Sequence, residues 1–164
     1  SKDKPSKFIQ RFCLEILKFR YESYCEGGLM KFRYDTRLTP YGFEEVPRVP
    51  VVFSNPKIGL EIPVFWLVDS GASDTLLHWE IGKALGIDIE KGKKHDYAGI
   101  GGVVAGYRHP IKIRLVNDRR EFLIECAVMQ FPSFDGLLGH RGFFDNYRVT
   151  FEKYKKTFEI IAKK

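Results

Sequence analysis

The stretch Trp66–Gly86, "WLVDSGASDTLLHWEIGKALG", joins an apolar run to a short helix through one acidic turn. The run that feeds it, "IGLEIPVFWLV" (58–68), is the most continuous apolar segment of the chain and reads as a buried strand. It stops at Asp69, and three small residues follow, Ser70, Gly71 and Ala72. A tight turn that opens on a carboxylate has two readings. It is an ordinary polar turn, or it holds a carboxylate at the floor of a cleft to do chemistry. Beyond it, "HWEIGKALG" (78–86) predicts a short helix closed by Gly86 at its C-terminal end.

The pattern around this stretch is one of strands. "MKFRYDTRL" (30–38) alternates, with Phe32 and Tyr34 on one face. "YGFEEVPRVPVVFSNP" (41–56) is punctuated by proline and reads as extended. "GIGGVVAG" (99–106) lies between "KKHDYA" and "YRHPIKIRLV", which predicts a long hairpin with a glycine-rich tip. "NDRR" turns into "EFLIECAVMQ", another strand. "GLLG" (136–139) reads as a short apolar strand and "HRGFFDNY" (140–147) as a helical turn. "RVTFEKYKKTFEII" (148–161) predicts a closing hairpin that turns at Lys153–Lys156. The expected domain, 30–164, is mostly β with one or two short helices.

Upstream, residues 8–24 place Phe8, Phe12, Ile16 and Phe19 at spacings of three and four, one apolar helical face, and "CEGG" ends it. Residues 1–29 therefore read as an N-terminal helical extension. It is either docked on the domain or an appendage outside its core.

The 164 residues suffice for one domain with a core, and 44% hydrophobic with 15% aromatic content excludes a disordered chain. No apolar run approaches the roughly 20 residues of a membrane span, so no membrane partner is expected. Cys13, Cys25 and Cys126 are odd in number and lack paired metal spacing, and the four histidines form no H-x-x-x-H pair. Neither a metal nor a cofactor is expected. The N-terminus lacks the order of a secretory signal, so the expected compartment is the cytoplasm, with reduced thiols. The net charge is +6, and the lysine patches at Lys91–Lys94 and Lys153–Lys156 read as solvated turns, not nucleic-acid contacts.

Asp-Ser-Gly alone carries little weight, because these residues also suit turns. Here it follows an apolar strand, precedes a glycine-rich hairpin, and is followed by a second apolar strand ending in glycine. In that order the chain resembles the retropepsin-like aspartic proteases, the single-domain family of retroviral proteases and bacterial relatives. The resemblance covers residues 46–161 and rests on "VDSGAS", "GIGGVVAG" and "GLLGHRGFF". It implies a retropepsin-like acid protease fold, a closed barrel-like sheet with a flap hairpin. By that resemblance Asp69 matches the catalytic aspartate. Ser70 matches the hydroxyl residue that braces the loop across a subunit interface. Gly71 and Ala72 are small because substrate backbone lies against them. Ile100, Gly101 and Gly102 fit the flap tip, and Val103 and Val104 are expected to line the pocket from the flap. Leu137 and Leu138 fit the strand beneath the active-site loop, with Gly139 allowing close approach.

The implied activity is hydrolysis of peptide bonds in a polypeptide substrate. That chemistry needs two carboxylates sharing one proton, because like charges a few ångströms apart resist joint ionisation. The chain carries one Asp-Ser/Thr-Gly, and Asp135 before Gly136 lacks the hydroxyl and reads as a turn residue. The dyad therefore calls for a homodimer that brings two copies of Asp69 to its two-fold axis. The C-terminal hairpin is a candidate interface strand by analogy with the family, or a plain core hairpin. Retroviral members usually carry an acid at the position of Ser73 and an arginine at that of His140. Both charges are missing here, and Arg141 is displaced by one position. The alternative reading is a catalytically inactive dimerisation or peptide-binding module, and a third is a nucleic-acid-binding β-barrel.

Overall fold

The computed structural model describes residues 25–26, 28–99, 102–116, 118–131 and 136–164. The helix expected over 8–24 lies outside them, as do Ile100, Gly101 and Asp135. Proline and glycine cut the chain into short strands: β1 Cys25–Glu26, β2 Leu29–Arg33, β3 Asp35–Thr39, β4 Gly42–Val46, β5 Arg48–Ser54 and β6 Glu61–Val68. Then come β7 Leu76–His78, helix α1 Trp79–Ala84, β8 Lys93–Gly99 and β9 Gly102–Leu115. β10 Phe122–Met129, β11 Leu137–Leu138, β12 Tyr147–Glu152 and β13 Thr157–Ala162 complete the order.

Strand pairing closes a ring in the order β10, β7, β11, β6, β5, β9, with β9 returning to β10. β7 and β11 contribute only three and two residues, so the barrel is lopsided, with its short side beside the Asp69 turn. The interior follows the period-two rule of strands. Val64, Trp66 and Val68 of β6 and Ile111, Ile113 and Leu115 of β9 are buried at alternate positions. Each such side chain contributes about 1.5–3 kcal/mol on leaving water. Trp66 is fully buried, and its one polar atom is satisfied, because Nε1 donates to Leu76 O at 2.8 Å.

β11 lies between β6 and β7, which are consecutive in sequence. It runs parallel to β6, with Leu137 beside Leu67 and Leu138 beside Val68. The glycine-rich hairpin forms as expected: β8 and β9 pair from Lys93↔Arg108 out to Gly99↔Gly102. α1 also matches its pattern and is closed by Gly86, which follows its C-cap Leu85 and whose φ of +69° favours glycine.

A second sheet has the order β1–β2–β13–β12. Here the expected alternation of "MKFRYDTRL" is split between β2 and β3. Phe32 stacks on Phe158 and Tyr34 meets the same ring edge-on, each at 5.5 Å. The C-terminal hairpin turns at Lys153–Lys155 with Lys156 in the left-handed region. β13 is flanked by β2 and β12 and buries Phe158 and Ile160, so it serves this chain's own core. Among the described residues the outer edge of β12 has no strand partner.

Residues 140–146 form successive turns, with Phe143 O accepting from Asn146 N and Tyr147 N at 2.9 Å as in a single helical turn. Gly142 sits at φ +96°, which breaks a right-handed run, and the Asp145 carboxylate and Asn146 amide close on its backbone at 2.9 and 2.6 Å. Among the described residues no helix is long and apolar enough to cross a membrane.

Candidate active site

Asp69 is the first residue beyond β6 and is half-buried. Its amide donates to Leu138 O at 3.1 Å, which fixes it to β11. Its Oδ1 accepts from Gly71 N at 2.8 Å, and its carbonyl accepts from Ala72 N at 3.2 Å. The turn is thus folded around its own carboxylate, an Asx-type arrangement. No cation pairs with Asp69 among the described residues, in a chain of net charge +6.

The segment after β11 staples the rest of the loop. His140 N donates to Ala72 O and Arg141 N to Ser73 O, both at 2.9 Å, and Thr75 N donates to Arg141 O at 3.1 Å. Gly139 N donates to the buried Thr75 hydroxyl at 3.2 Å. Gly139 is a glycine because a Cβ there would run into the backbones of Asp74 and Ala72. Leu138 is fully buried beneath this join. The structure therefore brings Asp69, Gly71, Ala72, Leu137, Leu138 and Gly139 together. Ser70 is exposed, and its hydroxyl has no partner among the described residues. Its carbonyl lies 2.8 Å from His140 Nε2, so that ring nitrogen carries the hydrogen.

The hairpin places Gly102, Val103 and Val104 at its exposed outer end, with Val103 paired to Ala98 and Val104 to Tyr97. Both valines are exposed large apolar residues, which a solitary chain has no packing reason to present.

The missing charge pair expected at Ser73 and His140 needs correction. The pair is present one residue further along each segment. Asp74 is 6% exposed, and Arg141 Nε lies 2.7 Å from its Oδ1 in an ionic contact off the line of a hydrogen bond. Arg108 of β9 donates from Nη2 to Asp74 Oδ2 at 3.0 Å and from Nε to the Tyr97 hydroxyl at 3.0 Å. Burial pushes the Tyr97 phenol up, with Arg108 pulling against it. The Tyr97 bond raises Arg108 in turn. Asp74, Thr75 and Arg108 were missed by motif reading, and Arg141 was noted only as an arginine displaced by one position. The one available signal was Asp74-Thr75 entering a buried strand, where a carboxylate demands a partner.

Among the described residues no group of three or more His, Cys, Asp or Glu side chains is gathered to hold a metal. The buried Cys126 donates to Thr75 O at 3.4 Å, and burial pushes its thiol far above the usual range.

Residues 54–141 match the family model described as aspartyl protease, which is more than half of the chain. The chain belongs to the aspartyl protease family. Its fold is similar to that of a retropepsin-like aspartic protease from Rickettsia conorii, with a TM-score of 0.57 and 20% identity. That match covers 82% of this chain and 99% of the other. The EIAV protease complexed with the inhibitor HBY-793 matches at a TM-score of 0.46 and 23% identity, over 59% of this chain and 84% of that one. No curated protein sequence matches the chain. The fold that the Asp69 loop, the hairpin and β11 build together is thus retropepsin-like.

Proposed function

We propose that this chain is an aspartic endopeptidase that acts as a homodimer, with two copies of Asp69 forming the catalytic dyad. The observation that carries the reading is the state of Asp69: a half-buried carboxylate in a doubly stapled turn, with no cation paired to it among the described residues. A structural aspartate in such a place would be expected to have the kind of partner Asp74 has.

Two such carboxylates facing each other share one proton and titrate as a pair. The ionised one takes a proton from a bound water as that water attacks the peptide carbonyl. The protonated one donates to the carbonyl oxygen. Gly71 N, bonded to Asp69 Oδ1, holds the carboxylate in orientation. Gly102, Val103 and Val104 would close over an extended peptide from the hairpin. Ser70, exposed and with no hydroxyl partner among the described residues, would brace the partner loop.

The test is subunit mixing. Asp69→Asn alone is expected to abolish peptide hydrolysis with an unchanged circular dichroism spectrum. Added to a fixed amount of wild type, with exchange verified by a label, it is expected to lower total activity, because mixed dimers hold one carboxylate and one amide. Constant activity under confirmed exchange would mean that each chain works alone. A folded, dimeric wild type that cleaves no peptide would favour the inactive binding module.

A further inference from the structure

A second concave site lies at the root of the β8–β9 hairpin, away from the Asp69 turn. Segments 55–57, 86–88, 91–93 and 108–110 line a cavity of about 370 Å³. Lys57, Lys91 and Lys93 converge on it from two of these segments. Lys91 is neutralised by Asp88 at 2.7 Å. Arg108 also lines the cavity, but its guanidinium is committed to Tyr97 and Asp74. Lys57 and Lys93 have no ion-pair partner among the described residues.

Gathering uncompensated ammonium groups around one hollow raises their mutual repulsion, and the concave wall focuses their field. An anion entering the hollow relieves both. The wall is built closely. A Cβ at Gly92 would run into the His109 ring and the Arg108 carbonyl, and His109 Nε2 is held 2.7 Å from Ile89 O.

We propose that this cavity is an exosite that docks a carboxylate-rich segment of a polypeptide through Lys57 and Lys93. The occupant follows from the peptidase reading above, whereas the charge of the site does not depend on it. Acids interrupt the positive field: Asp88 in the lining, with exposed Glu90 and Asp96 on either side of the lysines. That pattern disfavours a long polyanion such as RNA and suits a short acidic run. Position supports the role. Lys93 pairs across the hairpin with Arg108, and Arg108 reaches Asp74 of the active-site loop. An acidic segment held here keeps the rest of its chain beside the hairpin that would close on it.

Binding is read without turnover on the full chain carrying Asp69→Asn. The probes are a labelled peptide with an Asp/Glu run, its Asn/Gln counterpart and a single-stranded RNA of equal length. The acidic peptide is expected to bind roughly tenfold tighter than the neutral one and to weaken with salt. Lys57→Glu with Lys93→Glu is expected to remove the preference, and the double alanine variant to reduce it, with matched circular dichroism. Equal binding of the two peptides, a preference that survives both variants, or tighter binding of RNA overturns the exosite. In the chain with Asp69 intact, the lysine variants are expected to raise KM for an acidic-tailed substrate and leave a short neutral one unchanged. Should no peptide be cleaved while the acidic preference holds, the peptidase reading fails and the exosite stands. Should neutral peptides be cleaved and the lysine variants change nothing, the exosite alone fails.

Discussion

Arg108 Nη2 and Asp74 Oδ2 stand 3.0 Å apart although 34 residues separate them in sequence. The contact joins the root of the hairpin to the loop that presents Asp69. Through Tyr97 it also ties β8 to β9 at the level where the hairpin leaves the barrel. Asp74 is almost fully buried, so removing a partner from it is costly.

Arg108→Ala is therefore expected to destabilise the fold by about 2–4 kcal/mol, since it strands a buried carboxylate with only Arg141 beside it. Arg108→Lys should cost less, because it keeps the charge but cannot serve Asp74 and Tyr97 together. Urea unfolding of both variants checks the order. Equal midpoints for wild type and Arg108→Ala would show the contact to be energetically empty.

Gly139→Ala adds one methyl group where the backbones of Asp74 and Ala72 already occupy the space. The loop must move or the β11 join must open. A loss of about 2–4 kcal/mol is expected, with peptide hydrolysis abolished even below the melting temperature. The measurement is thermal unfolding beside an activity assay at low temperature. Full activity in this variant would mean that the loop tolerates displacement.

His78 makes stability depend on pH. Its Nδ1 accepts from Glu80 N at 3.2 Å at the start of α1, so it carries no hydrogen there. Burial pushes the imidazole below its ordinary value of 6.5. The unfolded chain then binds the proton more readily than the folded one. The contribution of neutral His78 is complete above the unfolded value and is lost as pH falls through the folded one. His78→Asn keeps a capping acceptor that does not titrate. Between about pH 7.5 and about pH 5 the melting temperature of wild type should fall further than that of the variant. Parallel curves would remove His78 as the cause.

The hairpin should show a gradient of amide exchange. Residues 106–108 of β9 are flanked by β8 on one side and β10 on the other. Gly102 to Ala105 pair with β8 alone and are exposed. Fast exchange is expected over 102–105 in the free protein, slowing when a peptide-like inhibitor binds. Unchanged protection on binding would sink the assignment of this hairpin as a flap.

Much of the fold was legible because its signals are local. The apolar run ending at Val68, the glycines around 99–106 and the "GLLG" segment each announce an element without help from elsewhere. The site was legible as far as its motif runs, from Asp69 to Ala72. The ion network was not, because it depends on register between distant segments. Nothing near Arg108 distinguishes it from Arg114, which meets an exposed acid, Glu61, at 3.1 Å. Only the path of β9 past the Asp69 loop gives the two arginines different fates. The turn at 140–146 was legible as a turn, but the left-handed φ at Gly142 was not, because several backbone conformations are open to glycine and its neighbours do not select one.

The threading of β11 between β6 and β7 has a consequence for biosynthesis. The groups that secure the Asp69 loop belong to a segment made much later; Gly139 bonds Thr75 across 64 residues and His140 meets Ser70 across 70. As the chain emerges from the ribosome, the Asp-Ser-Gly turn is exposed long before its scaffold exists. A nascent chain ending short of Gly136 has nothing to lay between β6 and β7, and long-range pairings of this kind form slowly in any case. The carboxylate therefore acquires its final setting only once residues 136–141 have been made. The order in which the strands are synthesised withholds the finished loop until that segment has emerged.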